Sequence, residues 1–214
     1  MILHGRQSSI NVQKASWALR EVGLEFEWID KDGNFGSIDT PQYRQLNPTG
    51  RVPTLVDDGT IVRQSNVIVR YVAQKYGQGT LWPDGIDQVA AADYWMDWQA
   101  IENWRPMVAV FWGIVRTPPE KQDPEAIARD SAALCKEFEH LNNHLDGRPF
   151  VVGERFAMGD IPVGAAAHRF FTLPIDRPRL AHLEAWYGRL KERPAFAECV
   201  MVSLPTDLVP NRPT

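Results

Sequence analysis

The chain of 214 residues predicts an α/β domain followed by an all-α domain: a mixed four-stranded sheet with helices over residues 1–78, a linker at 79–85 and a helical bundle over 86–214. Three observations carry this. Short β-like runs alternate with helical ones up to about residue 78, which is the pattern of strands covered by helices. The connector Gly77, Gln78, Gly79, Thr80, Leu81, Trp82, Pro83 is rich in residues that end regular structure. From about Ile86 only helical runs follow, broken near Thr117, Pro118 and Pro119 and again near Gly147, Arg148 and Pro149. This length suits two small domains with a sizeable buried core.

Taken in order, the first strand covers Met1 to Leu3. A helix then runs from about Val12 to Val22 and stops at Gly23, with Val12, Ala15, Leu19 and Val22 recurring at helical spacing. Phe26 to Ile29 is a second strand. Thr54 to Val56 and Ile61 to Val62 form a hairpin about the turn Asp57, Asp58, Gly59. Together they predict a mixed sheet of thioredoxin-like order. In the second half, Tyr94 to Arg116 reads as one long helix bent at Pro106. Its Trp and Phe residues are mostly core, as an aromatic stripe at helical spacing usually is.

Charge and cysteine content narrow the function. The net charge is −4 and the Lys and Arg residues are scattered, so nucleic acid is not an expected partner. The start MILHGRQSS lacks a charged leader followed by an apolar segment, and no run reaches bilayer length. The expectation is therefore a cytoplasmic protein without a membrane partner. Cys135 and Cys199 are far apart and lack ligand spacing, so neither a disulfide framework nor a metal site is expected. Cys135 shares an apolar face with Leu134, Phe138 and Leu141, the pattern of a buried helix thiol.

The most informative stretch is RVPTLVDDGTIVRQS, from Arg51 to Ser65. A cis bond is cheap before proline, so Val52 before Pro53 can turn its N–H and C=O toward a ligand. Gln64 and Ser65 precede the helical run NVIVRYVAQKYG, where unpaired amides and the helix dipole favour a carboxylate. The ligand these features fit is a short anionic peptide.

The segments LNPTGRVPTL and RQSNVIVRYVAQKYG resemble the glutathione-binding half of the glutathione S-transferases, and the likeness extends to about residue 200. The resemblance implies glutathione as co-substrate, with no metal. It implies that Val52, beside Pro53, pairs with the cysteinyl backbone, that Gln64 and Ser65 hold the γ-glutamyl carboxylate and that Arg51 meets the glycyl carboxylate. It also implies a homodimer and a small electrophilic partner.

Chemistry is expected in the loop His4 to Asn11, which faces the clamp in a thioredoxin-like sheet. No cysteine occurs before Cys135 and no tyrosine before Tyr43, which disfavours the cysteine and tyrosine classes of that superfamily. Ser9, Asn11 and Lys14 form S-x-N-x-x-K, similar to bacterial Nu-class transferases. The maleylacetoacetate isomerases place a cysteine where this chain has Asn11. Lowering a thiol by two units takes roughly 2.7 kcal/mol, and a hydrogen bond to a charged group supplies about 1.5 to 3 kcal/mol. Ser9, helped by Asn11 and the helix dipole, is therefore sufficient, although these residue types also cap helices. His4 reads as structural.

Trp104, Phe111 and Trp112 are the candidates for an apolar second-substrate pocket, and Arg116 or Arg105 can orient an anion there or remain surface charges. The segment FAMGDIPVGAAAHRFF resembles the family's buried helix start, with Ala157 in place of a hydroxyl and Asp160 retained. The missing half of the capping box is expected to cost about 1 kcal/mol unless neighbours compensate. The expected activity is transfer of the glutathione thiolate to small apolar electrophiles. The alternatives are glutathione-dependent reduction of disulfides or peroxides, and a non-catalytic interaction module.

Overall fold

A computed structural model describes residues 1–203, so positions 204–214 of the expected helical domain lie outside the described residues. Strand β1 (Ile2–His4), helix α1 (Ile10–Glu21) and strand β2 (Glu27–Ile29) form a parallel unit, which requires the helical crossover that α1 provides. Helix α2 (Pro41–Leu46) leads to strands β3 (Thr54–Asp57) and β4 (Thr60–Arg63) and then to α3 (Ser65–Tyr76). The sheet order is β2-β1-β3-β4, with β3 antiparallel to both neighbours. Leu3, Leu55 and Val62 stand in register across three strands and are all buried, so one face of the sheet is the core face. Asp58 and Gly59 close the hairpin with φ of 47° and 78°, the left-handed pair of a two-residue turn.

Helix α1 packs against α3, burying Val12, Ala15 and Leu19 with Ile68, Val69 and Val72. It starts at Ile10, two residues before the sequence places it, because Ser9 rather than Asn11 takes the N-cap conformation. Helix α2 is absent from the sequence reading. Its signals are local: the Thr40 side chain accepts from Tyr43 N at 3.2 Å, and Pro41 opens the helix. The omission matters, since the Tyr43 hydroxyl and Asn47 Nδ2 each donate to the Arg51 carbonyl at 2.7 Å and so fix the chain ahead of Pro53.

The rest of the described residues carry helices and no further strand: α4 (Ile86–Trp98), α5 (Trp104–Phe111), α6 (Pro124–His144), α7 (Asp160–Thr172), α8 (Ala181–Lys191) and α9 (Pro194–Cys199). Pro106, where a bend is expected, stands in the first turn of α5. The irregularity precedes it as a π-helical turn at Gln99–Asn103, and a second one at Trp112–Arg116 follows α5. Proline lacks the N–H for an i→i−4 bond, so a widened turn ahead of it loses less than a regular one.

Trp17 joins the two parts. It projects from α1 against Phe196 of α9, with centroids 4.8 Å apart, and a Cβ on Gly164 of α7 would come within 3.0 Å of its ring. Phe138 and Phe170 stack at 4.2 Å in the helical core. Both cysteines are buried. The half capping box is compensated: the fully buried Asp160 carboxylate accepts from Ala157 N, Val151 N and Trp186 Nε1 at 3.0, 3.0 and 2.8 Å. Among the described residues no helix is long and apolar enough to cross a membrane.

Candidate active site

A cavity of about 400 Å³ opens between the β1–α1 loop, the 34–39 and 50–52 loops, and the face of α5 with its following π-helical turn. Gly5 allows the close approach. Its φ is 132°, and a Cβ there would sit 2.6 Å from Val12 and 2.9 Å from Val52, which no other residue type tolerates. The loop bearing Ser9 is thereby held beside the Val52 corner.

Of the residues singled out from sequence, Ser9, Asn11, Arg51, Val52, Trp104, Phe111, Trp112 and Arg116 all line this cavity. The Val52–Pro53 bond is cis. Pro53 is buried behind Val52, and Gln64 and Ser65 stand at the start of α3, outside the cavity lining. Gln64 has φ 71°, an uncommon conformation for a residue with a Cβ. Arg105 is exposed and does not line the cavity, so of the two readings open to it the surface charge fits. His4 does not line the cavity; its ring lies 5.7 Å from that of Tyr43, and burial lowers its pKa.

Ser9 occupies the N-cap position of α1, yet its side chain makes no capping bond. Capping therefore does not use the hydroxyl. Asn11 sits in a network: its Oδ1 accepts from Lys14 Nζ at 3.1 Å and from Ser65 Oγ at 3.2 Å. An ammonium only donates, so it fixes which end of the amide is oxygen. Lys14 also donates to Gln99 Oε1 at 2.6 Å, on the first π-helical turn, and lies over the Trp104 ring at 5.3 Å. Burial, with a smaller contribution from Arg169, pulls the Lys14 ammonium down to about 7.

Sequence reasoning missed two arginines of the cavity. Arg6 lies in the loop already singled out, between Gly5 and Gln7. Arg169 lies on α7, far along the chain, where no local pattern ties it to Ser9. Together with Arg116 they surround one end of the cavity. The Phe111 ring lies 4.3 Å from the Arg169 guanidinium and 5.6 Å from that of Arg116. Burial, then Arg116, then Arg6 lower the pKa of Arg169. The pocket expected to be apolar is thus aromatic on its walls and cationic at one end. A larger cavity, about 600 Å³, lies between residues 80–91 and 144–157 and contains none of the candidate catalytic, glutathione-binding or second-substrate residues.

Fold and cavity define the class first: a thioredoxin-like sheet and a helical part that share one cleft, with a cis X-Pro corner at its edge. The comparisons then name the family. Residues 1–74 match the family model "Glutathione S-transferase, N-terminal domain". The chain is 38% identical to glutathione S-transferase GstB of Escherichia coli K12, over 94% of this chain and 97% of that one. It is 29% identical to glutathione S-transferase 3 of Zea mays, over 92% of each. A theta-class glutathione S-transferase from Xanthomonas axonopodis pv. citri, solved with glutathione bound, superposes with a TM-score of 0.91 at 42% identity, covering 95% of this chain and 98% of that one. The chain belongs to the glutathione S-transferase superfamily and is an enzyme of that class.

Proposed function

We propose that the enzyme binds glutathione at the Val52 corner, holds its sulfur as a thiolate with Ser9 and Asn11, and transfers it to a small electrophile. The observation that carries this is the Asn11 network. With Oδ1 occupied by Lys14 and Ser65, the other end of the amide, Nδ2, is the donor left for a ligand in the cavity that Asn11 lines. Ser9 brings a hydroxyl with no capping duty to the same cavity. Two donors at the N-terminus of α1 favour a thiolate over a thiol.

In this reading the Val52 N–H and C=O pair with the cysteinyl backbone. Ser65 and Gln64 receive the γ-glutamyl carboxylate at the start of α3, and Arg51 meets the glycyl carboxylate. Because the Ser65 hydroxyl proton goes to Asn11 Oδ1, it is the backbone N–H of Ser65 that meets the carboxylate, and the residue so couples peptide binding to the sulfur site. The thiol proton goes to solvent, since no protein base is required. The thiolate forms a carbon–sulfur bond as the electrophile's leaving group departs or its double bond accepts the electron pair. Support comes from the Xanthomonas relative, whose structure contains glutathione.

The domain division at 1–78, 79–85 and 86–214, the homodimer, the cytoplasmic location and the Nu-like subclass belong to the same proposal. Reduction of disulfides through a glutathione adduct is the second reading. It is favoured by the cationic end of the cavity, which suits the carboxylates of a second glutathione. A crystal structure with glutathione tests the main reading. The sulfur is expected within hydrogen-bonding distance of Ser9 Oγ and Asn11 Nδ2, and glutathione bound elsewhere would refute it.

A further inference from the structure

We propose that Gln7 and Arg169 are positioning residues for Ser9, bracing the two residues ahead of it against α9 and α7 so that the helical part of the chain aims the hydroxyl at the glutathione sulfur. The inference rests on the glutathione reading above and adds the residues through which that donor is held.

The Ser9 side chain makes no capping bond, so its direction follows from the backbone that carries it. Much of that backbone is tied within the N-terminal part. Gly5 N donates to the Ile29 carbonyl at 3.0 Å and Gln7 N to that of Lys31 at 2.8 Å. The Gly5 and Gln7 carbonyls accept from Trp28 Nε1 at 2.7 Å and Gln13 Nε2 at 3.0 Å. Two further bonds come from the helical part and fall on consecutive residues. Gln7 Nε2 donates to the Glu198 carbonyl of α9 at 2.8 Å, and Arg169 Nη2 of α7 donates to the Ser8 carbonyl at 3.4 Å. The second bond bears directly on Ser9. The peptide unit between Ser8 and Ser9 is planar, and its N–H donates to the Arg6 carbonyl at 3.1 Å, so Arg169 holds the opposite end of the same plane. With both ends held, the plane resists the swing that would carry the Ser9 Cβ away from the sulfur position.

The supports are themselves anchored. Phe196 of α9 is fully buried against Trp17 of α1, and Arg20 of α1 pairs with Glu198 at 3.2 Å. Arg169 is buried, lies 4.3 Å from the Phe111 ring and is the one Lys or Arg on α7. Burying a cation on a mostly apolar helix is costly, and a charged donor makes the stronger bond to a carbonyl. Arg169 also stands near enough to Lys14 to help lower its pKa. Each proposed sulfur donor is thus backed by a buried cation, Asn11 by Lys14 directly and Ser9 by Arg169 through Ser8.

The test reads the ionisation of enzyme-bound glutathione by its thiolate absorbance, together with kcat and KM for conjugation of 1-chloro-2,4-dinitrobenzene. The variants are Gln7→Leu, Arg169→Met and Arg169→Lys, each alone and combined with Ser9→Ala. Gln7→Leu is expected to lower kcat about threefold and Arg169→Met about tenfold, the sizes of a neutral and a charged hydrogen bond, with the bound thiol pKa raised to match. KM for glutathione should stay within about twofold. Arg169→Lys keeps a charged donor and should recover most of the loss. In the Ser9→Ala background the same substitutions should add little, since residues that act through one hydroxyl are not additive. Full additivity in that background, or an unchanged thiol titration in Gln7→Leu, overturns the proposal. Gln7 is only half-buried, so its variant decides the matter even if Arg169→Met does not fold. If Ser9→Ala itself leaves the titration unchanged, the Ser9 reading falls and this inference with it; if Ser9→Ala shifts the titration and Gln7→Leu does not, this inference alone falls.

Discussion

Lys14 holds Asn11 one turn below it on α1, donating from Nζ to Oδ1 at 3.1 Å, while the same ammonium reaches Gln99 of the helical part at 2.6 Å. One buried cation thus ties the proposed thiolate donor to the π-helical turn that precedes α5. The sequence motif S-x-N-x-x-K has its physical explanation in this contact: the spacing of three puts both side chains on one helix face.

Replacing Lys14 by methionine should therefore lower kcat about tenfold, the magnitude of one charged hydrogen bond, with a smaller change in KM for glutathione. Its stability should carry a pH signature. The folded-state pKa lies near 7, below the unfolded value of about 10.4, so between these pH values the unfolded chain binds the extra proton. Wild-type stability then rises with pH across this window and is flat below it. The Lys14→Met variant lacks that rise. Urea titrations at pH 6.5, 8 and 9.5 should show wild type gaining on the variant as pH increases, and parallel curves would contradict the assignment.

Asp160 is a structural carboxylate that anchors three buried donors. Asp160→Ala leaves Trp186 Nε1 and two backbone amides unpaired and should destabilise the fold by at least about 3 kcal/mol. Burial pushes this carboxyl up to about 6, above its unfolded value of 3.8. Between the two values the folded chain holds more protons, so this group's contribution to stability weakens as pH rises from 3.8 to 6. Asp160→Asn should flatten that component in denaturation curves measured over the same window.

Neither cysteine is expected to take part in the reaction. Burial pushes the Cys199 thiol up to about 11 and raises that of Cys135 as well, and neither lines the Ser9 cavity. The Cys135→Ala, Cys199→Ala double variant should melt lower through lost packing, yet conjugate aryl halides and reduce disulfides at near wild-type kcat. Loss of disulfide reduction alone would restore a cysteine-based mechanism.

The fold was legible from sequence wherever its determinants are local. Strand alternation, the Asp58 and Gly59 turn, the Gly23 stop and the breaker-rich connector all lie within a few residues of what they specify. The same holds for Pro53 and for the Ser9, Asn11, Lys14 spacing. What escaped depends on distance along the chain. Arg169 meets Arg6 only because α1 packs on α7, and no pattern near either residue encodes that meeting. Trp104, Phe111 and Trp112 did reach the cavity, but the character of the pocket is set by arginines from other elements. Helix α2 was missed although its Thr40 and Pro41 signal was present, because the helix spans only six residues and offers no periodicity. Pro106 was recognised as a disturbance, whereas the π-helical turns on either side of α5 have no local signal as plain as a proline.

The central claim is that Ser9 and Asn11 hold glutathione as a thiolate, and titrating the thiolate absorbance of enzyme-bound glutathione tests it most directly. The account expects the bound thiol to ionise about two units below its free value, and Ser9→Ala and Asn11→Ala each to raise it by about one unit, with glutathione affinity within a few fold of wild type. An unchanged thiol titration in both variants, with full turnover, would contradict it.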